Sequence, residues 1–162
     1  MKKKLISTCL VLTLALGFNC KKEEDNDDET LALLLLAASQ SGSSCTVSTT
    51  SGGNTTTLGI PGTTASTSVT PVSVQAFSTS NFGAVIARGL TAGQKVVFTN
   101  IGTTIPGVFR KSECNINFST DSNAGASNIT SANAGGTTTF TVVTAGDYIF
   151  TVSVTGTSVQ IQ

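Results

Sequence analysis

An alternation of apolar side chains near the C-terminus limits the folds that this chain can adopt. In DYIFTVSV, residues 147–154, one set of side chains recurs at every second position, which is typical of a β-strand with one buried face. This set is Tyr148, Phe150, Val152 and Val154, and it alternates with Asp147, Ile149, Thr151 and Ser153. Similar segments occur at residues 68–77, 82–90, 95–101, 108–118, 137–144 and 158–162. The sequence therefore predicts a domain made of strands.

The length and composition of the C-terminal part favour one domain with one core. From residue 45 onward Thr, Ser, Gly and Val predominate, and seven phenylalanines and one tyrosine are available for a core. A segment of about 120 residues suits a single domain, and glycine-containing turn signals separate the strands. Taken alone, residues 44–67 also have the composition of a disordered stalk. We predict an all-β fold over residues 45–162, an antiparallel β-sandwich of about seven to nine strands, Ig-like or jelly-roll.

The ionisable residues of this domain argue against several classes of function. Four bases face three acids, so the domain is nearly neutral, whereas a nucleic-acid-binding protein needs a basic patch. These residues are Arg88, Lys95, Arg110, Lys111, Glu113, Asp121 and Asp147. The chain contains no histidine, the commonest general base and metal ligand. Asp121, Asn123 and Gly125 begin like a calcium loop, but the closing Glu is missing, which favours an ordinary loop. We expect no enzyme activity, no cofactor, no metal site and no nucleic-acid partner.

The N-terminus has the layout of a secretory signal. Met1 is followed by Lys2, Lys3 and Lys4 and then by a mostly apolar segment, residues 5–18, which is the charged-then-apolar order of an export signal. The apolar segment is shorter than the roughly 20 residues that a membrane-spanning helix needs. The sequence therefore predicts a signal peptide over residues 1–19.

A cysteine marks the end of this apolar segment, since Cys20 directly follows Leu16, Gly17, Phe18 and Asn19. The arrangement resembles the lipobox of bacterial lipoproteins. The usual lipobox has Leu at the position of Gly17 and a small residue at the position of Phe18. Here the Leu stands one position earlier, at Leu16, which matches the looser form of the lipobox in spirochaetes. The sequence NCKKEED, followed by acidic residues and a Leu/Ala run, is most similar to lipoproteins of Leptospira.

This resemblance covers residues 1–45 and implies a lipid anchor. In that family the cysteine thiol, here that of Cys20, receives a diacylglyceryl group, the chain is cut before it, and the new N-terminus is acylated. The resemblance implies an outer-membrane protein, with the cell surface favoured over the periplasmic face, and adhesion to host matrix proteins, plasminogen or complement regulators. The alternative is a free thiol beside an ordinary cleavage site. Cys9 has too short an apolar segment before it to be the lipidated residue.

A charged spacer and a leucine-rich run occupy residues 20–44. Residues 21–29 carry six acids and two bases, a composition that cannot bury surface and stays extended. Residues 30–40, TLALLLLAASQ, predict a short helix capped by Thr30. Its leucines leave no solvent side, so the helix packs on its own domain, lies in a low-complexity linker, or forms an oligomer, partner or acyl-chain contact. These leucines are Leu31, Leu33, Leu34, Leu35 and Leu36.

The four cysteines can be assigned one by one. Cys9 leaves with the signal peptide and Cys20 is modified by lipid, so Cys45 and Cys114 remain. Exported chains meet an oxidising environment in which disulfides persist, and we predict that these two residues pair. The bridge closes a loop of roughly 70 residues, worth about 4 kcal/mol in the chain-entropy model. A metal site is the alternative, which the absence of histidine disfavours.

Three functional hypotheses follow from this organisation. The first is a membrane-anchored envelope lipoprotein that displays a non-catalytic β-sandwich binding module, an adhesin for host extracellular proteins. The second is a structural envelope lipoprotein that faces the periplasm and binds a partner through the leucine run. The third is a carbohydrate-binding module, which needs exposed aromatic side chains. Tyr148 and the phenylalanines, Phe82 among them, lie mostly in strand registers that indicate a core, so this third hypothesis is disfavoured.

Overall fold

Twelve strands in two sheets make up the part of the chain that the computed structural model describes, residues 43–162. They are β1 Ser43–Ser51, β2 Asn54–Thr64, β3 Thr70–Pro71, β4 Gln75–Phe77, β5 Ser80–Leu90, β6 Lys95–Thr99, β7 Gly107–Phe109, β8 Asn115–Asn117, β9 Ile129–Ala134, β10 Thr137–Val142, β11 Gly146–Val152 and β12 Ser158–Ile161. The predicted signal peptide, Cys20, the spacer and the leucine run lie outside the described residues. Within residues 43–162, no helix has the length and apolarity to cross a membrane.

The first sheet has seven strands and mixed pairing. Its order is β7-β11-β5-β2-β1-β8, and β4 pairs with the beginning of β5. The β2–β5 and β1–β8 pairs are parallel. Parallel neighbours need a crossover connection, and here the chain leaves β2, contributes β3 to the other sheet and then returns as β5.

The second sheet has five strands in the order β3-β12-β6-β10-β9, and all of its pairs are antiparallel. The two sheets form a β-sandwich, so the predicted fold class is confirmed. The first sheet differs from the expected purely antiparallel arrangement. The structure also has more strands than the expected seven to nine, because several strands of two or three residues are too short to show a period of two.

The segment that also fitted a disordered stalk forms the longest hairpin of the fold. β1 is paired with β2 along all nine of its residues. The turn contains Gly52 and Gly53 with φ of 57° and 82°, and such a two-residue turn requires positive φ at both positions. Only the part of the hairpin farther from the turn has buried apolar side chains, those of Cys45, Val47 and Ile60. This uneven burial explains why the segment is so polar overall.

The main hydrophobic core lies between the two sheets. Phe98, Phe140 and Phe150 meet there with ring centroids 5.0 to 5.8 Å apart, distances typical of stabilising aromatic pairs. Tyr148 is also buried, and the single proton of its hydroxyl is shared between the carbonyls of Asn128, at 3.0 Å, and Thr144. Burial raises the pKa of the Tyr148 phenol. Of the inward set predicted from the alternation, Tyr148, Phe150 and Val152 are buried in this core, and Val154 is partly buried against it.

A second, smaller core lies on the opposite face of the first sheet, which curls around it. Its buried members are Cys45, Val47, Ile60, Ala84, Ile86, Phe109, Ile116 and Ile149. Both faces of β5 and β11 are thus covered. The prediction of one buried face on residues 147–154 is wrong at Ile149, which is completely buried, because the curl of the sheet brings β1, β7 and β8 over the face expected to meet solvent.

The second core generates a stability prediction. Replacing Ile149 by Ala should lower the free energy of unfolding by about 2–5 kcal/mol, since a completely buried side chain leaves a cavity. Ile105, which is 57% exposed, provides a matched control, and its replacement by Ala should change the stability by less than about 0.5 kcal/mol. Urea denaturation of both variants measures the difference. Equal stability of the two variants would show that Ile149 is not in a core.

Candidate functional site

A disulfide bridge holds the start of the β1–β2 hairpin, as predicted. Cys45 of β1 is bonded to Cys114, which directly precedes β8, and their Cα atoms are 4.8 Å apart. The backbone N–H of Thr46 donates to the carbonyl of Cys114 at 2.8 Å. Because the bridge and this hydrogen bond are adjacent, the chain after Cys114 is aligned with β1 from its first residue onward.

The segment that follows Cys114 runs along β1 towards the hairpin turn. β8 pairs with Thr46, Val47 and Ser48 in parallel register. Beyond β8, the N–H of Phe118 donates to the carbonyl of Ser48 at 2.8 Å. The Ser119 hydroxyl then accepts from the N–H of Thr50 at 2.8 Å and donates to the Thr50 carbonyl at 3.1 Å. The hairpin is therefore supported almost to its turn.

Asp121 fixes the end of this supporting segment. Its carboxylate accepts from the ammonium group of Lys111 at 2.6 Å and from the N–H of Asn117 at 2.9 Å. The hydrogen bond from Lys111, and next that from Asn117, hold the pKa of Asp121 below its ordinary value. The first acid of the candidate calcium loop is thus engaged in a structural ion pair. Residues 43–162 contain no group of three side chains placed to hold a metal ion.

The other two acids of the domain lie in separate structural contacts. The Asp147 carboxylate accepts from the N–H of Gly89 at 2.7 Å, and one of its oxygens is 4.0 Å from the Arg88 guanidinium. The Glu113 carboxylate accepts from the side-chain amide of Asn115 at 2.9 Å. Each acid has its own partners, so the structure gives no paired-carboxylate arrangement among these three residues.

Residues 110–112 of the turn RKSE line an open groove of about 250 Å³ together with Gly146 and Asp147. Arg110 donates to the carbonyl of Ala145 at 2.9 Å, and Lys111 is paired with Asp121. The two cations of this groove therefore already have partners within the domain, and the groove holds both signs of charge. Such a groove lacks the concentrated charge that would select an ionic ligand.

We define the distal tip as residues 49–56 and 117–119. Most of its side chains are exposed hydroxyls or amides, and the hydroxyls of Thr50 and Thr55 are 2.9 Å apart. Phe118 lies among them with 40% of its surface exposed and with its ring 6.0 Å from that of buried Phe109. The distal tip therefore presents one aromatic side chain on a hydrogen-bonded, neutral and strongly polar surface.

Sequence reasoning did not single out Phe118, because it treated the phenylalanines as core residues. Phe82, named in the disfavoured carbohydrate hypothesis, is half-buried and packs against Phe77 at 6.2 Å. The one feature of the sequence that could have indicated exposure of Phe118 is the polar run STDSN that follows it. A strand that ends directly before a polar turn leaves its last side chain near solvent.

The distal tip and Ser43, the first described residue, lie at opposite ends of β1. β1 begins at Ser43 and has nine residues. At about 3.3 Å per residue, it extends roughly 30 Å before the turn. Ser43 and the turn at Gly52 and Gly53 are therefore separated by the whole length of β1.

Comparisons with known proteins found no matching family model, no matching curated protein and no matching solved structure.

The disulfide leads to a second prediction. Replacing Cys45 and Cys114 together by Ala should lower the free energy of unfolding by about 2–4 kcal/mol, because the bridge no longer restricts the unfolded chain. Amide exchange at Thr50 and Phe118 should also become faster, because the hairpin loses its fixed start. Reductant serves as the internal control: it should destabilise the parent protein by a similar amount and leave the double variant unchanged. A double variant as stable as the parent would contradict this account.

Proposed function

We propose that this chain is a lipid-anchored outer-membrane lipoprotein whose β-sandwich binds host extracellular proteins through the distal tip. The observation that carries the proposal is the exposed ring of Phe118 on a tip that the disulfide and β8 hold in place. The role is one of binding and not of catalysis. The proposal has three parts: the anchor, the export and the binding surface.

The anchor is supported by the sequence around Cys20. A basic start, an apolar segment and a cysteine directly before a charged run agree with a lipoprotein signal. A single acyl chain gives only marginal membrane binding, whereas two or more chains make the attachment stable. Modification of Cys20 with a diacylglyceryl group and an N-terminal acyl chain would therefore keep the protein on the membrane without a spanning helix.

Export is supported by the Cys45–Cys114 bridge. Disulfides persist in oxidising compartments and are rare in the cytosol. The bridge is also a fixed part of the fold, since Cys45 is 1% exposed and belongs to the second core. A buried disulfide in a domain that follows a signal-like segment therefore agrees with an exported protein, which folds where the bridge persists and stabilises it.

The distal tip has the composition of a protein-binding surface. An aromatic side chain surrounded by polar groups resembles the arrangement of an interface, in which a few aromatic anchors supply most of the binding energy and a polar rim surrounds them. The ring of Phe118 is held by Phe109, so little side-chain freedom is lost on binding. The tip also lies at the opposite end of β1 from Ser43, the first described residue.

The first test concerns the anchor and the side of the membrane. Replacing Cys20 by Ser should move the protein from the membrane fraction to the soluble fraction, because no acyl chain can be attached. The Cys9→Ser variant is the matched control and should stay in the membrane fraction. Antibodies against residues 46–162 should label intact cells that carry the parent protein.

Two results would contradict these parts. Membrane retention of the Cys20→Ser variant would exclude the anchor. Labelling only after permeabilisation would exclude surface display and favour the alternative, a structural lipoprotein that faces the periplasm.

The second test concerns the binding surface. Purified protein should bind to wells coated with extracellular-matrix proteins, and replacing Phe118 by Ala should weaken that binding at least about fivefold, as expected for a central aromatic contact. Replacing Val69 by Ala is the control, because Val69 is 64% exposed but belongs to the β2–β3 connection. Equal binding by both variants, with an unchanged fold, would remove the distal tip from the proposal.

A further inference from the structure

β9 is the longest edge strand of the two sheets in the described part of the chain. It has six residues, of which five are exposed, and it contains no charged residue and no proline. The other edge strands, β3, β4, β7 and β8, have only two or three residues, and β3 contains Pro71. Shortness and proline are devices by which proteins keep edges from pairing with other strands. β9 has neither device.

The backbone of β9 is arranged to accept another strand. Gly135 and Gly136 form a two-residue turn with positive φ at both positions, so Ala134 and Thr137 are the closing hydrogen-bonded pair of the β9–β10 hairpin. Hydrogen-bonded pairs alternate with non-bonded ones. Ser131 and Asn133 therefore direct their N–H and C=O groups away from β10, to an edge on which no described strand lies.

A groove of about 180 Å³ lies beside this edge, and its wall includes Asn123 and Ala124, of which Ala124 donates its N–H to the carbonyl of Val108 in β7 at 2.7 Å. Its lining is uncharged and combines polar with apolar surface, and it includes Ile105, Pro106, Val108, Ile129, Ser131 and Phe140. A cavity of about 150 Å³ is large enough for benzene. The groove therefore has room for one apolar side chain of the size of Leu or Phe.

We propose that β9 binds an extended, uncharged segment of a partner protein as an additional strand of the second sheet. Side chains of a strand point alternately to its two faces, so every second side chain of the added strand faces the space between the sheets. One of these enters the groove, while the backbone pairs with Ser131 and Asn133. Recognition of this kind combines main-chain hydrogen bonds for affinity with a pocket for specificity.

The chemistry of the edge selects an uncharged segment. β9 and the groove residues carry no charge, so an ionic side chain placed there would be desolvated without an opposite charge to pair with it. This site uses residues other than those of the distal tip, and it does not depend on the proposed lipid anchor or on adhesion.

A peptide with the sequence of β10 and the next residue, TTTFTVV, is a suitable probe. In the folded chain, β10 already pairs with the opposite edge of β9 in antiparallel register. The peptide also contains a phenylalanine that can enter the groove. In the purified full-length chain, the peptide should slow amide exchange at Ser131 and Asn133 and leave Ala132 unchanged, because only the first two N–H groups face outward. Exchange measured by NMR, residue by residue, gives this pattern directly.

Two variants and one control complete the experiment. Ser131→Pro removes an outward N–H, which an edge strand tolerates, and should weaken peptide binding roughly tenfold. Ile105→Asp places a charge at the exposed rim of the groove and should weaken binding by a similar factor without unfolding the chain. Val69→Asp introduces the same charge at an exposed position that does not line the groove, and it should bind the peptide like the parent protein.

Two outcomes would overturn the proposal. The first is peptide binding that leaves the exchange of Ser131 and Asn133 unaltered, or no peptide binding at all. The second is protection of these two amides in the protein alone, together with dimers that disappear in the Ser131→Pro variant, since that result would make β9 an interface between two copies of the chain.

Discussion

The antiparallel pairing of β11 with β5 places two strands between two hydrophobic cores. In β11, Phe150 faces the space between the sheets, while its neighbour Ile149 faces the opposite side. β5 shows the same division, since Val85 belongs to the main core and Ile86 belongs to the second core. A sheet with one buried face needs polar residues at every second position. At the middle of these two strands, Ile149 and Ile86 stand at such positions instead, because the curl of the first sheet covers the second face there.

The curl also determines where the surface features lie. It brings the chain after β8 close enough to β7 for the rings of Phe118 and Phe109 to meet. The support that β8 gives to β1 and the position of Phe118 are therefore consequences of the second core. The second sheet does not curl around a core of its own, and its β9 edge has no described strand beside it. The first sheet thus carries the distal tip, and the second sheet carries the β9 edge.

The sequence predicted those features that depend on local pattern or on elimination. The alternation at residues 147–154 identified the inward side of β11, and the assignment of the other two cysteines left Cys45 to pair with Cys114. Features that depend on distant contacts could not be predicted. Burial of Ile149 requires the curl, and the parallel β2–β5 pair requires the crossover through β3. From the sequence, the β1–β2 hairpin could not be distinguished from a disordered stalk, because most of its side chains do not pack against a hydrophobic core.

The two candidate surfaces differ in how tightly they could hold a partner. Strand addition at β9 involves only Ser131 and Asn133 as outward-facing pairing residues, and each backbone hydrogen bond contributes about 0.5–1.5 kcal/mol after the loss of bonds to water. Such an edge alone binds weakly, and the side chain in the groove must supply the rest. In the proposed lipid-anchored protein, confinement at the membrane would raise the effective concentration of neighbouring partners and offset this weakness. Weak binding also prevents the uncharged β9 edge from pairing permanently with extended segments of other proteins.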